Sequence, residues 1–528
     1  MEYPVETFTG AERDRLAPYV TNLDRPVFGL VNLPETVKGA LFARYSRYQG
    51  TLRRLFLEEF ADSLPAGGAA WEGDEGARAA ALFERVFVGY GDDSVAQLGG
   101  MHVACEWVSN VLTKVLQRPR LGAYLEQSTR YIAYDAPMEG TSRYRYYRAP
   151  ELGSEYERAM DGLFAAYADA LPRVAAWVDS SFPGEPGPAR TRAVKAKALD
   201  LLRGLLPASS LSHMGIYATG QTYEQLILHL LAHPLPEARL YGEQILDAVK
   251  AVMPSFVARV ERPDRGGRWV EHLRGRDETA ERWVARLGLD RAPADASPGP
   301  SVRLLHVDGD EEALLAALLF EAAAVPEEAA RIRIAALTPD ERAALLRDLV
   351  GERENRRHRP GRGFEALRYR FEVVADYGAF RDLQRHRLLT VQWQRLSPDL
   401  GAGVPEEVDA AGVGDAYRAA LDASAAEHGR LVAAGLERQA VYALCLGYRI
   451  RFVLDMNARE AMHLIELRSG REGHPAYRAV AHEMHRQIAA VHPAVGAAMT
   501  HVDAETEPRL ERILSEMRTQ AKLERIRG

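Results

Sequence analysis

Apolar residues recur at helical spacing through most of the chain and switch to strict alternation in a few short stretches. Val37, Leu41, Tyr45 and Tyr48, following Pro34, predict a helix running to about Phe60. A Gly/Ala-rich turn at 65–70 leads to a predicted helix over 76–87, which the Gly/Asp-rich stretch 89–94 ends. A long apolar segment then runs into Arg118-Pro119-Arg120. Helices are expected over 151–178 and 191–206, separated by the Pro/Gly stretch 182–188, and again over 223–231 and 237–253. After Arg259 the periodicity decays, and a linker with a short helix is expected up to 300.

Beyond that break the pattern changes period. Residues 301–307 read as an opening strand, Asp308-Gly309-Asp310 as a turn, and 311–324 as a helix. Residues 369–375 alternate as a half-buried strand before a short helix that leads to Arg385-His386-Arg387. Helices are predicted over 414–435, 438–447, 458–467 and 476–491, with 450–456 a strand or extended connection. Strands that feed arginines into short helices indicate an α/β or α+β unit with a sheet flanked by helices. The unit is used twice: Leu116-Gln117-Arg118-Pro119-Arg120-Leu121 returns as Leu383-Gln384-Arg385-His386-Arg387-Leu388. The expected organisation is a domain over 1–290, a linker over 291–300 and a second domain over 301–528.

Composition narrows the chemistry. A net charge of -7 over 528 residues gives no global basic field for nucleic acid or anionic membrane, so anion chemistry must come from local arginine clusters. Cys105 and Cys445 sit in apolar stretches and offer neither a disulfide framework nor a zinc site. With no basic leader and no uninterrupted apolar run of membrane-spanning length, a cytoplasmic protein is expected.

Paired guanidiniums grip phosphate or carboxylate in bidentate fashion. In an extended segment Glu126, Ser128 and Arg130 would share one face beside Arg118 and Arg120, able to hold a polar anion or simply forming a solvated, ion-paired face. Arg385, His386 and Arg387 read as a donor-rich site or as a basic helix end. Asn457, Arg459 and Arg468 are equally ambiguous by spacing alone. Arg203 falls at the end of a predicted helix, where a cation is favoured. His474, His482, His485 and His492 have no ligand spacing that argues for a metal. No dinucleotide, P-loop or nucleophile-elbow motif occurs.

The segments Arg385-His386-Arg387-x-x-Thr390-x-Gln392 and Arg118-x-Arg120, with Glu126-x-Ser128-x-Arg130-Tyr131, resemble the R-H-R-x-x-S-x-N-E-x-S-x-R-Y signature of the flavin-dependent thymidylate synthases (ThyX). The first copy has Pro119, Ala123 and Leu125 where the signature has His, Ser and Asn. The second loses the latter half, with Trp393, Arg395 and Ser397 there. Asn457-Ala458-Arg459 through Leu467-Arg468 is similar to the family's N-A-R and L-x-L-R helix, and Arg203-Gly204-Leu205-Leu206-Pro207 to its arginine before a leucine-proline pair. Gly91-Asp92-Asp93-Ser94-Val95-Ala96-Gln97 is similar to its G-H-x-S-V-x-E-H segment, whose later histidine is Leu98 here and Ala366 in the second copy.

The resemblance implies two fused domains, each with a mainly antiparallel sheet flanked by helices. It also implies an enzyme that binds FAD and converts dUMP to dTMP with methylenetetrahydrofolate as carbon donor and NADPH as reductant. By motif, Arg385, His386, Arg387, Asn457 and Arg459 would face FAD. Arg118, Arg120, Glu126, Ser128, Arg130 and Arg203 would hold the nucleotide, and Arg468 would face the uracil as the catalytic arginine. The nucleotide set survives mainly in the first copy and the flavin set mainly in the second, which implies a composite site in a homodimer that forms a pseudo-tetramer. A repurposed flavin- or nucleotide-binding relative is the alternative.

Overall fold

The computed structural model describes residues 6–24, 28–45, 48, 50–63, 97–290, 299–507 and 509–527. The predicted turn at 65–70, the helix over 76–87, its breaker at 89–94, most of the G-H-x-S-V-like segment and residues 291–298 of the linker lie outside them.

Chain packing divides the protein into two compact units. One comprises 1–108, 115–127 and 212–291. The other comprises 109–114, 128–211 and everything from 292 onward. Residues 128–211 therefore pack with the chain that follows the linker.

The first unit contains a three-stranded sheet in the order β1 (Gly100–Ser109), β3 (Leu211–Thr219), β2 (Gly122–Glu126). β2 runs antiparallel to β3, with Tyr124 opposite Ile216 and Glu126 opposite Met214. The helices Gly220–Ala232 and Pro236–Lys250 follow and pack on each other. After them comes Arg268–Arg286, a 19-residue helix where only a short one was expected. Its only buried residue is Leu273, and its strongly charged composition reads as a solvated segment although its few apolar residues keep helical spacing.

In the second unit the sheet order is β4 (Ser301–Asp308), β5 (Arg368–Asp376), β7 (Arg449–Asn457), β6 (Leu389–Trp393), with every neighbouring pair antiparallel. Alternation in β5 is what the sequence shows: Tyr369, Phe371 and Val373 are buried, and they lie opposite Met456, Leu454 and Phe452 of β7. Burying each such side chain is worth roughly 1.5–3 kcal/mol. Asp455 anchors the other face through ion pairs with Arg368 at 2.5 Å and Arg370 at 2.9 Å. The helix Pro475–Val491 packs against β4 and β5.

One predicted helix is absent. Residues 438–447 hold only the 3-10 turn Ala440–Ala443. Their backbone groups pair instead with 204–209: Leu444 O accepts from Ala208 N at 2.7 Å, and Leu446 N donates to Leu206 O at 2.8 Å. The stretch Ala440–Leu446 is buried throughout, so it has no polar face to hold a surface helix in place. Cys105 and Cys445 are both unpaired and buried.

Candidate functional site

Three helix ends in the second unit deliver the site. β5 ends at Asp376, whose carboxylate caps the helix Tyr377–Leu383 by accepting from Ala379 N at 2.7 Å. That short helix places Asp382, and the turn after it places Arg385 and His386. β7 ends at Asn457, which caps Ala458–Arg468 by accepting from Glu460 N at 2.9 Å, and this helix presents Glu460, His463 and Arg468. The helix Pro188–Leu202 supplies Asp200, with Arg203 at its C-cap.

His386 is the centre of one network. Arg468 Nε donates to its Nε2 at 3.1 Å, so that nitrogen is unprotonated and the ring proton is on Nδ1. Nδ1 in turn faces Glu460 Oε1 at 2.8 Å. Burial, reinforced by Arg468, Arg387 and Arg359, pushes the imidazole well below its ordinary range and keeps it neutral. Burial raises the Glu460 carboxyl. The His463 ring stands edge-on at 5.3 Å, held down to about 4 chiefly by burial. His386, Glu460 and His463 lie close enough to share a metal ion. Both nitrogens of His386 are already engaged, however, and the surrounding arginines oppose a cation.

Asp382 is the centre of a second network. It meets Arg385 at 3.2 Å and Arg203 at 3.5 Å. Its burial favours protonation, but Arg385, Arg468, Arg203 and Arg130 outweigh that and hold it well below the usual carboxylate range. Arg203 is 4% exposed, and its Nη2 lies 3.6 Å from Asp376 without a hydrogen-bond partner. Arg203, Asp200, Asp376, His474, Lys197 and Tyr417 line a cavity of about 240 Å³.

Arg130 forms a buried bidentate pair with Asp200, through Nε at 2.6 Å and through Nη2. Tyr477 OH accepts from its Nη1 at 3.4 Å and the Glu472 carbonyl from Nη2 at 3.2 Å. His474 Nδ1 accepts from Ala476 N and its Nε2 donates to the Asp200 carbonyl at 3.3 Å. Burial, with Arg203 next, brings this imidazole down to about 3.

The structure thus brings together Arg130, Arg203, Arg385, His386 and Arg468, with Arg387 half-buried near His386. Two other predicted residues have local duties: Asn457 caps its helix, and Arg459 donates to the Pro360 carbonyl at 3.0 Å beside Glu365. The shared strand face expected for Glu126, Ser128 and Arg130 does not form. β2 ends at Glu126, and Ser128 Oγ turns back to accept from Arg130 N at 3.2 Å. Glu126, accepting from Gln117 Nε2 at 3.0 Å, belongs with Arg118 and Arg120 to the first unit. His482, His485 and His492 each bond a separate partner: the Asp503 carbonyl, the Gly496 carbonyl and the Tyr369 hydroxyl.

Sequence reasoning missed Asp200, Asp376, Asp382, Glu460, His463 and Tyr477. A signal for two of them was present, because Asp200-x-x-Arg203 and Asp382-x-x-Arg385 repeat a carboxylate three residues before a site arginine.

Among solved structures, the UMP/dUMP methylase PolB from Streptomyces cacaoi, bound with 5-Br dUMP, is 22% identical and covers 39% of this chain and 96% of that one, with a TM-score of 0.32. A UPF0159 protein of Chlamydia muridarum is 37% identical over 97% of this chain and 99% of its own length. UPF0159 protein Ta1429 of Thermoplasma acidophilum is 30% identical over 92% of this chain and 99% of its own. The family model described as thymidylate synthase complementing protein matches residues 54–255 and 306–494, both sides of the linker. With well over half its length matched, the chain belongs to the thymidylate synthase complementing protein family.

Proposed function

We propose that the chain is a flavin-dependent, thymidylate synthase-like methyltransferase that converts dUMP to dTMP with methylenetetrahydrofolate and NADPH. The observation that carries this reading is Arg203: a buried guanidinium lining a cavity, with a donor that no hydrogen bond satisfies. Buried donors are rarely left unmet, and an unmet one costs about 1–3 kcal/mol. A nucleotide phosphate would meet it.

Residues from both sides of the linker contribute. Arg130 and Arg203 precede it, and Asp382, Arg385 and Arg468 follow it, in line with a composite site. The donor set around His386 suits FAD: Arg385, Arg387 and Arg459 supply cations for a pyrophosphate, while the neutral imidazole adds no competing charge. When bound, the flavin supplies the hydride and one-carbon chemistry. The chain's own residues position and exclude. Glu460 and Arg468 fix the His386 tautomer, and the same contact holds Arg468 for the uracil. Tyr477, with its ring 5.6 Å from the Arg468 guanidinium, restricts where that guanidinium can swing. Two chains would complete the pseudo-tetramer.

One observation favours the repurposed reading. Arg130 is saturated by Asp200, so a phosphate must compete for it. Spectroscopy separates the two. Purified protein should be yellow, and dUMP should perturb the flavin bands and start NADPH oxidation. Flavin and dUMP binding without dTMP formation would establish the repurposed protein, and binding of neither would remove both readings.

A further inference from the structure

The chain beyond residue 494, outside both segments that match the family, comes back to the site. Its helix Ile513–Arg527 packs on Pro188–Leu202, the helix that carries Asp200. Gln520 Oε1 accepts from Ala189 N at 3.0 Å, and Glu516 pairs with Arg192 at 2.6 Å. Residues 511–515 are tied to the site at both ends. Glu511 meets Lys197, which lines the Arg203 cavity, at 2.6 Å, and both side chains are buried. Ser515 Oγ donates to the Glu472 carboxylate, and the carbonyl of the same residue accepts from Arg130 Nη2 at 3.2 Å.

Between those ties stands Arg512. Its guanidinium lies 4.3 Å from the ring centroid of Tyr131, the residue after Arg130. A cation on an aromatic face is stabilised, but that contact satisfies no N–H. Nε and Nη1 of Arg512 are buried without an acceptor, and among the described residues no carboxylate pairs with it. Neighbouring arginines differ: Arg130 has Asp200, Arg192 has Glu516 and Arg509 has Asp503. A guanidinium with buried, unmet donors is unfavourable until an anion meets them.

We propose that Arg512 is an anion-binding residue of the methyltransferase site. It takes anionic oxygens of a substrate, the phosphate of dUMP or a carboxylate of methylenetetrahydrofolate, on the side where Asp200 already occupies Arg130. The inference rests on the proposed function and gives that site a residue from outside the family-matching segments. A guanidinium fork suits either group in bidentate fashion. The Tyr131 ring braces its face, so the ligand meets its edge, where the unmet donors point.

Equilibrium dialysis of the flavin-loaded full chain, with dUMP and separately with methylenetetrahydrofolate, tests it. Arg512→Gln keeps a polar side chain against Tyr131 and removes the charge; it should weaken one ligand at least about ten-fold, which identifies the ligand that Arg512 holds. Arg518→Gln makes the same charge change at an exposed position of the same helix and should leave both affinities unchanged. Because no carboxylate loses a partner, Arg512→Gln should melt no lower than the wild type. If it does melt lower, Arg512→Lys decides: it keeps the charge and should recover part of the affinity, and no recovery overturns the proposal. Wild-type affinity for both ligands in Arg512→Gln, or equal weakening by Arg518→Gln, also overturns it and leaves the proposed function standing. A wild-type chain that binds neither ligand would remove the proposed function and the role of Arg512 together.

Discussion

Removing Asp200 would leave Arg130 charged, 9% exposed and without its bidentate partner. Tyr477 OH at 3.4 Å and the Glu472 carbonyl at 3.2 Å remain, and neither carries charge. Breaking a buried pair from one side costs about 3–5 kcal/mol, because the survivor stays desolvated. Asp200→Ala and Arg130→Ala should each fall in that range. The double variant leaves no orphaned charge and should be less destabilised than the sum of the two by at least about 2 kcal/mol. Urea unfolding of the four proteins at pH 7 measures this coupling. Arg130 holds the Asp200 carboxyl below its ordinary value against the effect of burial, so the coupling should persist above about pH 4 and fade as acid protonates Asp200 through its lowered folded-state value. Additivity within about 0.5 kcal/mol would refute the reasoning, since that is how an exposed ion pair behaves.

Arg203→Ala should weaken dUMP binding by roughly 2–4 kcal/mol while flavin stays bound, and Arg387→Ala should strip the flavin, both followed by equilibrium dialysis; flavin loss in Arg203→Ala would contradict the division. Stability should fall with acid, because His386 and His474 are held neutral in the fold while the unfolded chain protonates near pH 6.5. Each contributes about 1.4 kcal/mol per pH unit lost on going below 6.5, which for His474 continues to about 3, so melting temperatures flat from pH 7.5 to 5 would count against both assignments. Glu460→Ala frees the His386 ring and loosens Arg468, so kcat should drop more than KM rises. Glu460→Gln, which keeps an acceptor for Nδ1–H, should recover part of it.

The fold was legible wherever burial had a period. The strands at β4, β5 and β7 and the helices Gly153–Ser181, Gly414–Ala433 and Pro475–Val491 carry clean alternation or helical stripes. β1 and β3 go unassigned from sequence, β1 inside a long apolar segment and β3 in the gap between two predicted helices, where the alternation of buried Met214, Ile216 and Ala218 is short and interrupted by Gly215. Residues 438–447 misled because a wholly buried stretch shows no period. At the site, motif spacing found Arg130, Arg203, Arg385, His386 and Arg468, whose side chains do converge. Their acidic partners were invisible for a physical reason: Asp200, Asp382 and Glu460 matter through tertiary pairing, and only the i−3 spacing to an arginine leaves any trace in sequence.

No helix among the described residues is long and apolar enough to cross a membrane. Transfer of a single carbon to uracil is the step that the proposed function requires. Incubating the flavin-loaded chain with NADPH, dUMP and methylenetetrahydrofolate labelled in its one-carbon unit should yield dTMP carrying the label at the C5 methyl. Arg468→Ala, which keeps the flavin, should abolish that product. Labelled dTMP formed equally by Arg468→Ala, or none formed by a wild-type protein that binds flavin and dUMP, would contradict it.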